Sequence, residues 1–584
     1  MSRFLALACD TDVPTELVAE AITRLASVVP PLEISRHGCL TVAASGGALI
    51  RFDRGVIAGA LFDRRFPGLL RELPQDEWER IVSSRGMHLI DNYWGGYIAL
   101  LQTPGDRIDV IRAPMGELPC YRGRIDRATL FASDIDLLRL AGAARTAIAW
   151  DAVAAELAWP NIRNAQTCIE GVAAVNSGER VTPVAGAVQQ DQLWRPSDFA
   201  APRPGLPTTD HVERIRRQVQ ACTGSRASAF ERVQLLLSGG LDSSIIAACL
   251  ARSDTPLDLL TLFTRDPVGD ERDYGRRMAR AVGLPLEEMR REIVHLDPRI
   301  SAAARLPRPA ARLFEQETAR LARAAASRNG AQAIFTGGGG DNVFCALQSA
   351  APATDRLLVQ GMGRGFLETA GQISRLAPAS LPKVLSAAGM RTLPWRRDSP
   401  IRPDLSFLSA EARARAGPRP PSHPWLKPGQ VALPGKAAHV KLVALADGFA
   451  QGFDPQGELP TIAPLLAQPV VETCLAAPSW LWFEDGRNRA LARRAFAREL
   501  PPEIAGRRSK GTPECFIGEI FEHHHALLRE MLLDGILARR GFLDREAVAL
   551  AFHGAGRMAS PHAVALLRLV DVEAWLMARS AADG

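Results

Sequence analysis

One stretch of this chain, residues 233–250, constrains its fold more than any other, and it spells VQLLLSGGLDSSIIAACL. Its apolar start, Val233 to Leu237, has the length and composition of a buried strand. Ser238-Gly239-Gly240 and Leu241-Asp242-Ser243-Ser244 follow, and then an apolar helical pattern from Ile245 to Leu250. A strand that turns through paired glycines into a helix predicts an anion-binding loop, because free N–H groups and the helix dipole attract phosphate.

The polar residues of this turn suit a nucleotide. Ser243 and Ser244 offer hydroxyl donors, and Asp242 can hold a divalent metal. The alternative is a Gly-rich turn in which Asp242 only caps the following helix. The string S-G-G-L-D-S-S resembles the PP-loop of ATP pyrophosphatases, which split ATP between the α and β phosphates. This resemblance implies that the chain binds ATP at the turn.

Length, charge and cysteine spacing narrow the class of protein. The 584 residues predict two or more domains, and a net charge of +6 is too small to indicate nucleic acid as a partner. Basic pairs such as Arg493-Arg494 are interpreted as solvated surface. No apolar run reaches membrane-spanning length, and the start of the chain is too weakly apolar for secretion, so a cytoplasmic protein without a membrane partner is expected. Nine scattered cysteines without a C-x-x-C pair disfavour a disulfide framework and a zinc site.

Patterning along the chain predicts two domains joined by a linker. Residues 1–194 carry short β-like runs with period-2 apolar patterning and Gly/Pro turns, which predict a sheet-rich α+β domain. Residues 195–207, RPSDFAAPRPGLP, are Pro-rich and predict a linker. In residues 208–584 strand and helix patterns alternate and predict a parallel α/β sheet, followed from about Pro352 by a mostly helical part.

Two Gly-rich turns are expected to face one site. The run Ala333 to Thr336 predicts a strand, and Gly337-Gly338-Gly339-Gly340-Asp341 follows it. Since ligands bind at the carboxyl ends of parallel strands, Asp242 and Asp341 are predicted to hold Mg²⁺ and to serve catalysis. The alternative for each is again a helix cap. The predicted nucleotide-binding residues are Leu237, Ser238, Gly239, Gly240, Asp242, Ser243, Ser244, Phe263, Thr336 and Gly337.

These two motifs carry a family resemblance. S-G-G-L-D-S-S followed by T-G-G-G-G-D-N is similar to the asparagine synthetase superfamily, and Ala333 to Leu357 resembles more specifically the macrocyclases that close lasso peptides. Such enzymes use ATP and Mg²⁺ to adenylate an Asp or Glu side chain of a precursor core peptide. The N-terminal amine of the peptide then forms an isopeptide bond. The resemblance implies a leader-binding protein and a leader peptidase as partners.

The resemblance also brings expectations for the rest of the chain. Residues 1–194 match the class II glutaminase domain of the superfamily in outline. A glutaminase of that type needs an N-terminal Cys, whereas this chain begins Met1-Ser2 and Cys9 lies too far in, so the domain is expected to be degenerate. Lys510 matches the superfamily lysine that reaches the adenylate and pyrophosphate, although a solvent-exposed basic helix end is an equal alternative.

Gly338 departs from asparagine synthetases, which have a Glu at that position. An α-amine has a pKa of roughly 7.7–8.0, so part of it is neutral near pH 7 and can react without that carboxylate. The base stays unassigned. Two alternatives to the macrocyclase remain open. One is another amide ligase of the superfamily, forming a β-lactam or asparagine, and the other is a non-catalytic peptide-binding scaffold.

Overall fold

The structure, a computed structural model, describes residues 3–8, 33–45, 49–105, 107–125, 128–143, 147–184, 187–201, 205–310, 312–393, 401–450, 459–508, 514–554 and 561–581. In these ranges the strands are β1 Arg3–Ala8, β2 Glu33–His37, β3 Leu40–Ser45, β4 Leu49–Phe52, β5 Gly55–Asp63, β6 Tyr93–Thr103, β7 Arg107–Arg112, β8 Tyr121–Ile125, β9 Ala128–Ala132, β10 Ala173–Ala174, β11 Glu179–Val184, β12 Ala187–Gln192, β13 Val233–Leu236, β14 Leu257–Phe263, β15 Leu286–Arg290, β16 Ala333–Phe335 and β17 Thr461–Ile462.

The α-helices of the same ranges are α1 Gln75–Ser83, α2 Met87–Asn92, α3 Ile135–Leu140, α4 Trp150–Ala158, α5 Thr208–Ala227, α6 Leu241–Leu250, α7 Arg272–Val282, α8 Gln316–Asn329, α9 Gly340–Val343, α10 Ala351–Gln360, α11 Arg364–Leu376, α12 Leu381–Met390, α13 Ala410–Ala416, α14 Pro434–Ala450, α15 Gln468–Ala476, α16 Ala490–Ala495, α17 Pro502–Ala505, α18 Glu514–Asp534, α19 Ile536–Arg539, α20 Arg545–Gly554 and α21 Pro561–Ala581.

Two antiparallel six-stranded sheets build the N-terminal part. Their strand orders are β10-β8-β9-β1-β3-β2 and β12-β11-β7-β6-β5-β4. Phe4 and Phe131 from the first sheet pack with Ile98 and Val110 from the second in one buried cluster, so the two sheets form a sandwich. The prediction of a sheet-rich region is confirmed, and the domain boundaries at 194 and 207 stay predictions. Met1, Ser2 and Cys9 lie outside the described residues.

A five-stranded sheet, ordered β15-β14-β13-β16-β17, forms the centre of the second half of the chain. Its pairings are all parallel, and Val233 of the central strand pairs with Leu257 on one side and Ala333 on the other. Helix α6 is buried along its whole length, and α8 covers the other face with Ala322, Ala325 and Ala326. The predicted parallel sheet covered by helices is confirmed, and so is the mostly helical part beyond Pro352.

The two halves share one hydrophobic core. Ile57, Trp94 and Tyr97 of the N-terminal sheets belong to the same buried cluster as α6 and α15. Glu472 of α15 crosses the junction, where it accepts hydrogen bonds from Arg64 at 2.6 and 2.9 Å and from Trp194 Nε1 at 2.9 Å. The two halves are therefore joined by both apolar and charged contacts.

The segment predicted as a linker is partly packed against the rest of the protein. It contains the short 3-10 helix Pro196–Phe199, in which Pro196 is buried. Ser197 Oγ accepts a hydrogen bond of 2.8 Å from Gln430 Nε2. Residues 202–204, which hold part of the Pro-rich string, lie outside the described ranges.

Two features of the described residues bear on membrane association and metal binding. None of the helices in the described ranges combines the length and the apolar character needed to cross a bilayer. Within the same ranges no three or more His, Cys, Asp or Glu side chains group as a metal site would require. Within the same ranges, free thiols are found at Cys120, Cys168, Cys222, Cys249, Cys345 and Cys474.

Candidate active site

The first Gly-rich loop connects β13 to α6 and is shaped by one glycine. Gly239 has a φ of +68°, and a Cβ there would lie 2.4 Å from Tyr274 Cβ and 2.7 Å from Gly275 N. Only glycine fits such a backbone at such a distance. Ser243 Oγ accepts from the N–H of Ser238 at 3.3 Å, so the serine hydroxyls hold the loop in shape. The backbone N–H groups of this loop lie at the start of the buried helix α6, a position that favours binding of an anion.

The second loop, between β16 and α9, packs directly against the first. Thr336 Oγ1 accepts from the N–H of Gly338 at 3.1 Å. A Cβ at Gly337 would lie 2.6 Å from Ser243 N, and a Cβ at Gly340 would lie 2.4 Å from Asp242 Cγ. The glycines are therefore needed because the two loops meet without room for a side chain. This contact brings the two motifs together, as the sequence analysis expected.

Asp242 and Asp341 converge on one point, and Arg489 occupies it. Arg489 Nη1 donates to Asp242 Oδ2 at 3.0 Å and to Asp341 Oδ1 at 2.5 Å. The side chain of Asp242 is 8% exposed and that of Asp341 is 45% exposed, so the second carboxylate faces the solvent-accessible side. Arg489 itself adopts a φ of +59°, which non-glycine residues adopt rarely and mainly where the surroundings enforce it.

This pair of carboxylates fits a magnesium site. Two hard anionic oxygens face one position that already attracts a cation, and Mg²⁺ is commonly held by one or two carboxylates together with phosphate oxygens and water. Asp242 and Asp341 would hold the ion. The assignment of these residues to metal binding stays a prediction.

Further arginines surround the first loop. Arg507 Nη2 donates to Glu271 at 2.6 Å, Nη1 donates to the Gly239 carbonyl at 3.3 Å, and the guanidinium lies 3.8 Å from the ring centroid of Tyr274. Arg493 donates to three backbone carbonyls, at 2.6, 3.0 and 3.2 Å. Burial, and then the neighbouring charge of Arg489, lowers the pKa of Arg493 to about 10. The interpretation of Arg493 as solvated surface is therefore wrong, because its guanidinium is bonded to the backbone and partly buried.

A cavity of about 510 Å³ opens beside the two loops. It reaches beyond the first Gly-rich loop to residues of the N-terminal half and of α14. The lining residues are Asn161, Leu236, Ser238, Gly240, Asp242, Ser243, Arg312, Gly337, Gly338, Gly339, Gly340, Asp341, Asn342, Leu445 and Ala446. A volume of this size is typical of a small-molecule site.

Helix α14 holds the second loop from behind. Asn342 Nδ2 donates to the Leu442 carbonyl at 2.8 Å, and His439 Nε2 donates to the Val343 carbonyl at 2.9 Å. His439 is fully buried, and burial lowers its pKa to about 3, so it stays neutral. The far end of the helix reaches the N-terminal sheets, where Ser177 Oγ donates to Asp447 at 2.7 Å.

The other predicted site residues lie around this centre. Leu237 is buried directly after β13. Ser244 is fully buried in α6, and its hydroxyl makes no hydrogen bond with the residues that the structure describes. Phe263 ends the neighbouring strand, outside the cavity lining, and the Arg272 guanidinium lies 3.9 Å from its ring centroid. Lys510 lies outside the described residues.

Sequence reasoning missed Arg489, and its removal is expected to leave two carboxylates facing each other. We expect Arg489→Gln to destabilise the magnesium-free protein by about 1–3 kcal/mol, because an ionic hydrogen-bond partner is lost. Added Mg²⁺ is expected to raise the Tm of this variant more than that of the wild type, since the ion supplies the missing positive charge. Thermal unfolding with and without MgCl₂ measures both effects.

The matched control for this prediction is Arg494→Gln, five residues further along the chain, which breaks a more exposed pair with Glu484. Its Tm is expected to respond to Mg²⁺ as the wild type does. An Arg489→Gln variant that gains no more from Mg²⁺ than the wild type would contradict the prediction.

The fold and the site together define an α/β protein with two Gly-rich loops at the carboxyl ends of neighbouring parallel strands. The family model described as asparagine synthase matches residues 214–577, and the chain belongs to this family. Its members are ATP-dependent ligases that form amides and produce AMP and pyrophosphate, and this chain is an enzyme of that class. This membership decides against the non-catalytic scaffold.

Comparison with solved structures adds two distant similarities. The allosteric regulatory enzyme of purine biosynthesis is 10% identical at a TM-score of 0.22, over 49% of this chain and 80% of that chain. The glutamine phosphoribosylpyrophosphate amidotransferase from B. subtilis, complexed with ADP and GMP, is 10% identical at a TM-score of 0.21, over 57% of this chain and 81% of that chain. Scores this low carry no conclusion about this chain. Comparison with curated proteins gave no match.

Proposed function

We propose that the chain is a lasso peptide macrocyclase that adenylates an Asp or Glu side chain of a precursor core peptide and joins it to the peptide's N-terminal amine. The observation that carries the proposal is the second loop, T-G-G-G-G-D-N, which resembles that of such enzymes and has Gly338 where asparagine synthetases have Glu. Gly338 lines the cavity beside Asp341. Position 338 therefore carries neither a side chain nor a carboxylate, which leaves room for an amine that is already partly neutral near pH 7.

The proposed substrates and cofactors are ATP, Mg²⁺ and the core peptide. The N–H groups of the two loops and the start of α6 bind the phosphates of ATP. Bound Mg²⁺ would neutralise the charge on the phosphates as pyrophosphate leaves. Asp242 and Asp341 would hold that ion, and Lys510 is proposed to reach the same phosphates.

Two steps follow on this site. A carboxylate oxygen of the peptide attacks the α-phosphorus, the bond to the β-phosphate bridging oxygen breaks, and pyrophosphate departs with the electron pair. The neutral N-terminal amine then attacks the acyl carbon, the carbon–oxygen bond to AMP breaks, and the amine nitrogen loses a proton. In both steps the reacting groups lie in one cavity. Holding them in a reactive orientation there lowers the activation barrier.

The N-terminal half is proposed to be a degenerate class II glutamine amidotransferase-like domain. Its two packed antiparallel sheets support this, and so does the state of its buried thiols: burial raises the pKa of Cys120 to about 12 and also raises that of Cys168. A thiol held protonated is a poor nucleophile. We further propose a cytoplasmic location and, as partners, a leader-binding protein and a leader peptidase.

Reconstitution with a synthetic core peptide tests the proposal. The peptide is chosen from a short precursor reading frame beside the gene, with an acidic residue several positions after its N-terminus. We expect ATP-dependent formation of AMP together with a peptide that has lost one water. The control peptide carries an acetylated N-terminus, which is expected to permit adenylation but not ring closure.

Two other results would point elsewhere. Product formation with ammonia or a small amine, and none with the peptide, would favour another amide ligase of the family. A cyclic product without AMP would contradict the adenylation chemistry itself.

A further inference from the structure

The cavity has a wall that the nucleotide loops do not supply. Asn161, Arg312, Leu445 and Ala446 line it together with the loops and come from three separate parts of the chain. Asn161 adopts a φ of +66°, a conformation for which Asn is one of the few suited residues. Arg312 brings a positive charge into the cavity and is not part of either Gly-rich motif.

The segment that carries Arg312 is held firmly in place. The N–H of Leu313 donates to Asp571 Oδ1 at 2.7 Å, and Arg312 Nη1 lies 3.5 Å from Glu315 Oε1. Burial raises the pKa of Glu315 and raises that of Asp571 well above its usual range. The positive charge of Arg312 opposes this rise in pKa at both acids.

A donor carboxylate needs such a charge. To attack the α-phosphorus it must approach an anionic nucleotide beside Asp242 and Asp341, and like charges at close range repel one another strongly near a protein surface. A guanidinium is the side chain best suited to compensate, because its planar fork binds a carboxylate through two parallel hydrogen bonds.

We propose that Arg312 binds the donor carboxylate before it is adenylated, with the Asn161 amide beside it. The inference rests on the ligase chemistry and deepens the proposed function, but it holds for a peptide or a small acid alike. In the acyl-adenylate the former carboxylate no longer carries a negative charge. Arg312 therefore holds the acyl group less tightly, and the amine can reach it. Arg312 thereby selects ionised acids over their amides and esters.

ATP–pyrophosphate exchange tests this assignment. The donor probes are the core peptide and the α-amides of N-acetyl-aspartate and N-acetyl-glutamate, which keep a free side-chain carboxylate. Arg312→Gln is expected to raise the KM for the donor at least about tenfold, which is the loss of one charge-assisted contact. The KM for ATP is expected to change less than about twofold, and Arg312→Lys is expected to recover part of the donor affinity.

Arg299→Gln is the matched control, because Arg299 pairs with Asp297 on an exposed surface of the same region. It is expected to leave both KM values unchanged. An unchanged donor KM in Arg312→Gln, or an equal rise in the KM for ATP, would overturn the assignment. If the wild-type enzyme activates only the small acids, the macrocyclase proposal fails while Arg312 is tested on those acids.

Discussion

Asp242→Asn is expected to reduce the rate of ATP–pyrophosphate exchange by about 10²–10³-fold, comparable with the loss of one preorganised electrostatic contact in other enzymes. Asn keeps the shape of Asp242 but removes its charge. The Arg489 guanidinium, which lies between the two carboxylates, then has Asp341 as its only anionic partner from this pair. The same would hold for a Mg²⁺ ion bound there. The measurement is the initial exchange rate at saturating ATP and donor, with a titration of Mg²⁺ to detect a weaker requirement.

The control for this substitution is Asp258→Asn on β14, which loses a surface pair with Arg232 at 3.1 Å. That variant is expected to exchange at the wild-type rate. The sequence left open that Asp242 only caps α6, but the N-cap of this helix is Gly240 and no side chain caps it. A folded Asp242→Asn protein with unchanged exchange would show that the Asp242 carboxylate serves only the structure, through its pair with Arg489.

Gly337→Ala is the second change with a large expected effect. The added methyl group would lie 2.6 Å from Ser243 N and 2.9 Å from the Asp242 carbonyl carbon, and backbone atoms of a buried helix cannot move aside easily. We expect a loss of about 1–3 kcal/mol in the free energy of unfolding, as for other overpacked sites. We also expect kcat/KM for ATP to fall about a hundredfold, because the loops would be pushed apart by a sizeable part of an ångström.

Gly371→Ala offers the comparison, since a Cβ at this position in α11 would meet no atom within 4 Å. It is expected to be neutral or to stabilise by about 0.5–1 kcal/mol through higher helix propensity. Chemical denaturation of both variants measures the free energy of unfolding, and ATP–pyrophosphate exchange measures kcat/KM for ATP. Equal behaviour of the two alanines would mean that the loop contact is not tight in solution.

The parallel sheet could be predicted from the sequence because its main strands are short apolar runs bounded by turn residues. The runs at Val233, Leu257 and Ala333 are short, apolar and bounded by turns, and the structure places them side by side in parallel. The N-terminal sheets were indicated by alternation and turn residues in the same way. In contrast, β17 has only two residues, Thr461–Ile462, and no pattern of that length can indicate a strand.

The site was foreseeable only where its residues sit in motifs. Asp242 and Asp341 follow Gly-rich turns, and the structure brings them to one nitrogen atom. Arg489 is 247 residues from Asp242 in the chain, and it stands in an Arg-rich stretch that looks like ordinary surface. Its role arises from tertiary contact alone. The same holds for Asn161 and Arg312, whose sequence neighbourhoods carry no motif.

Helix α14 touches the second loop through Leu442 and His439 and the N-terminal sandwich through Asp447. The two halves of the molecule are therefore coupled through this helix and do not pack as independent modules. Chimaeras that graft foreign N-terminal sheets onto the C-terminal half are expected to lose turnover even when both Gly-rich loops are retained. During divergence of such enzymes, substitutions at Ser177 and along this helix are expected to accumulate in concert.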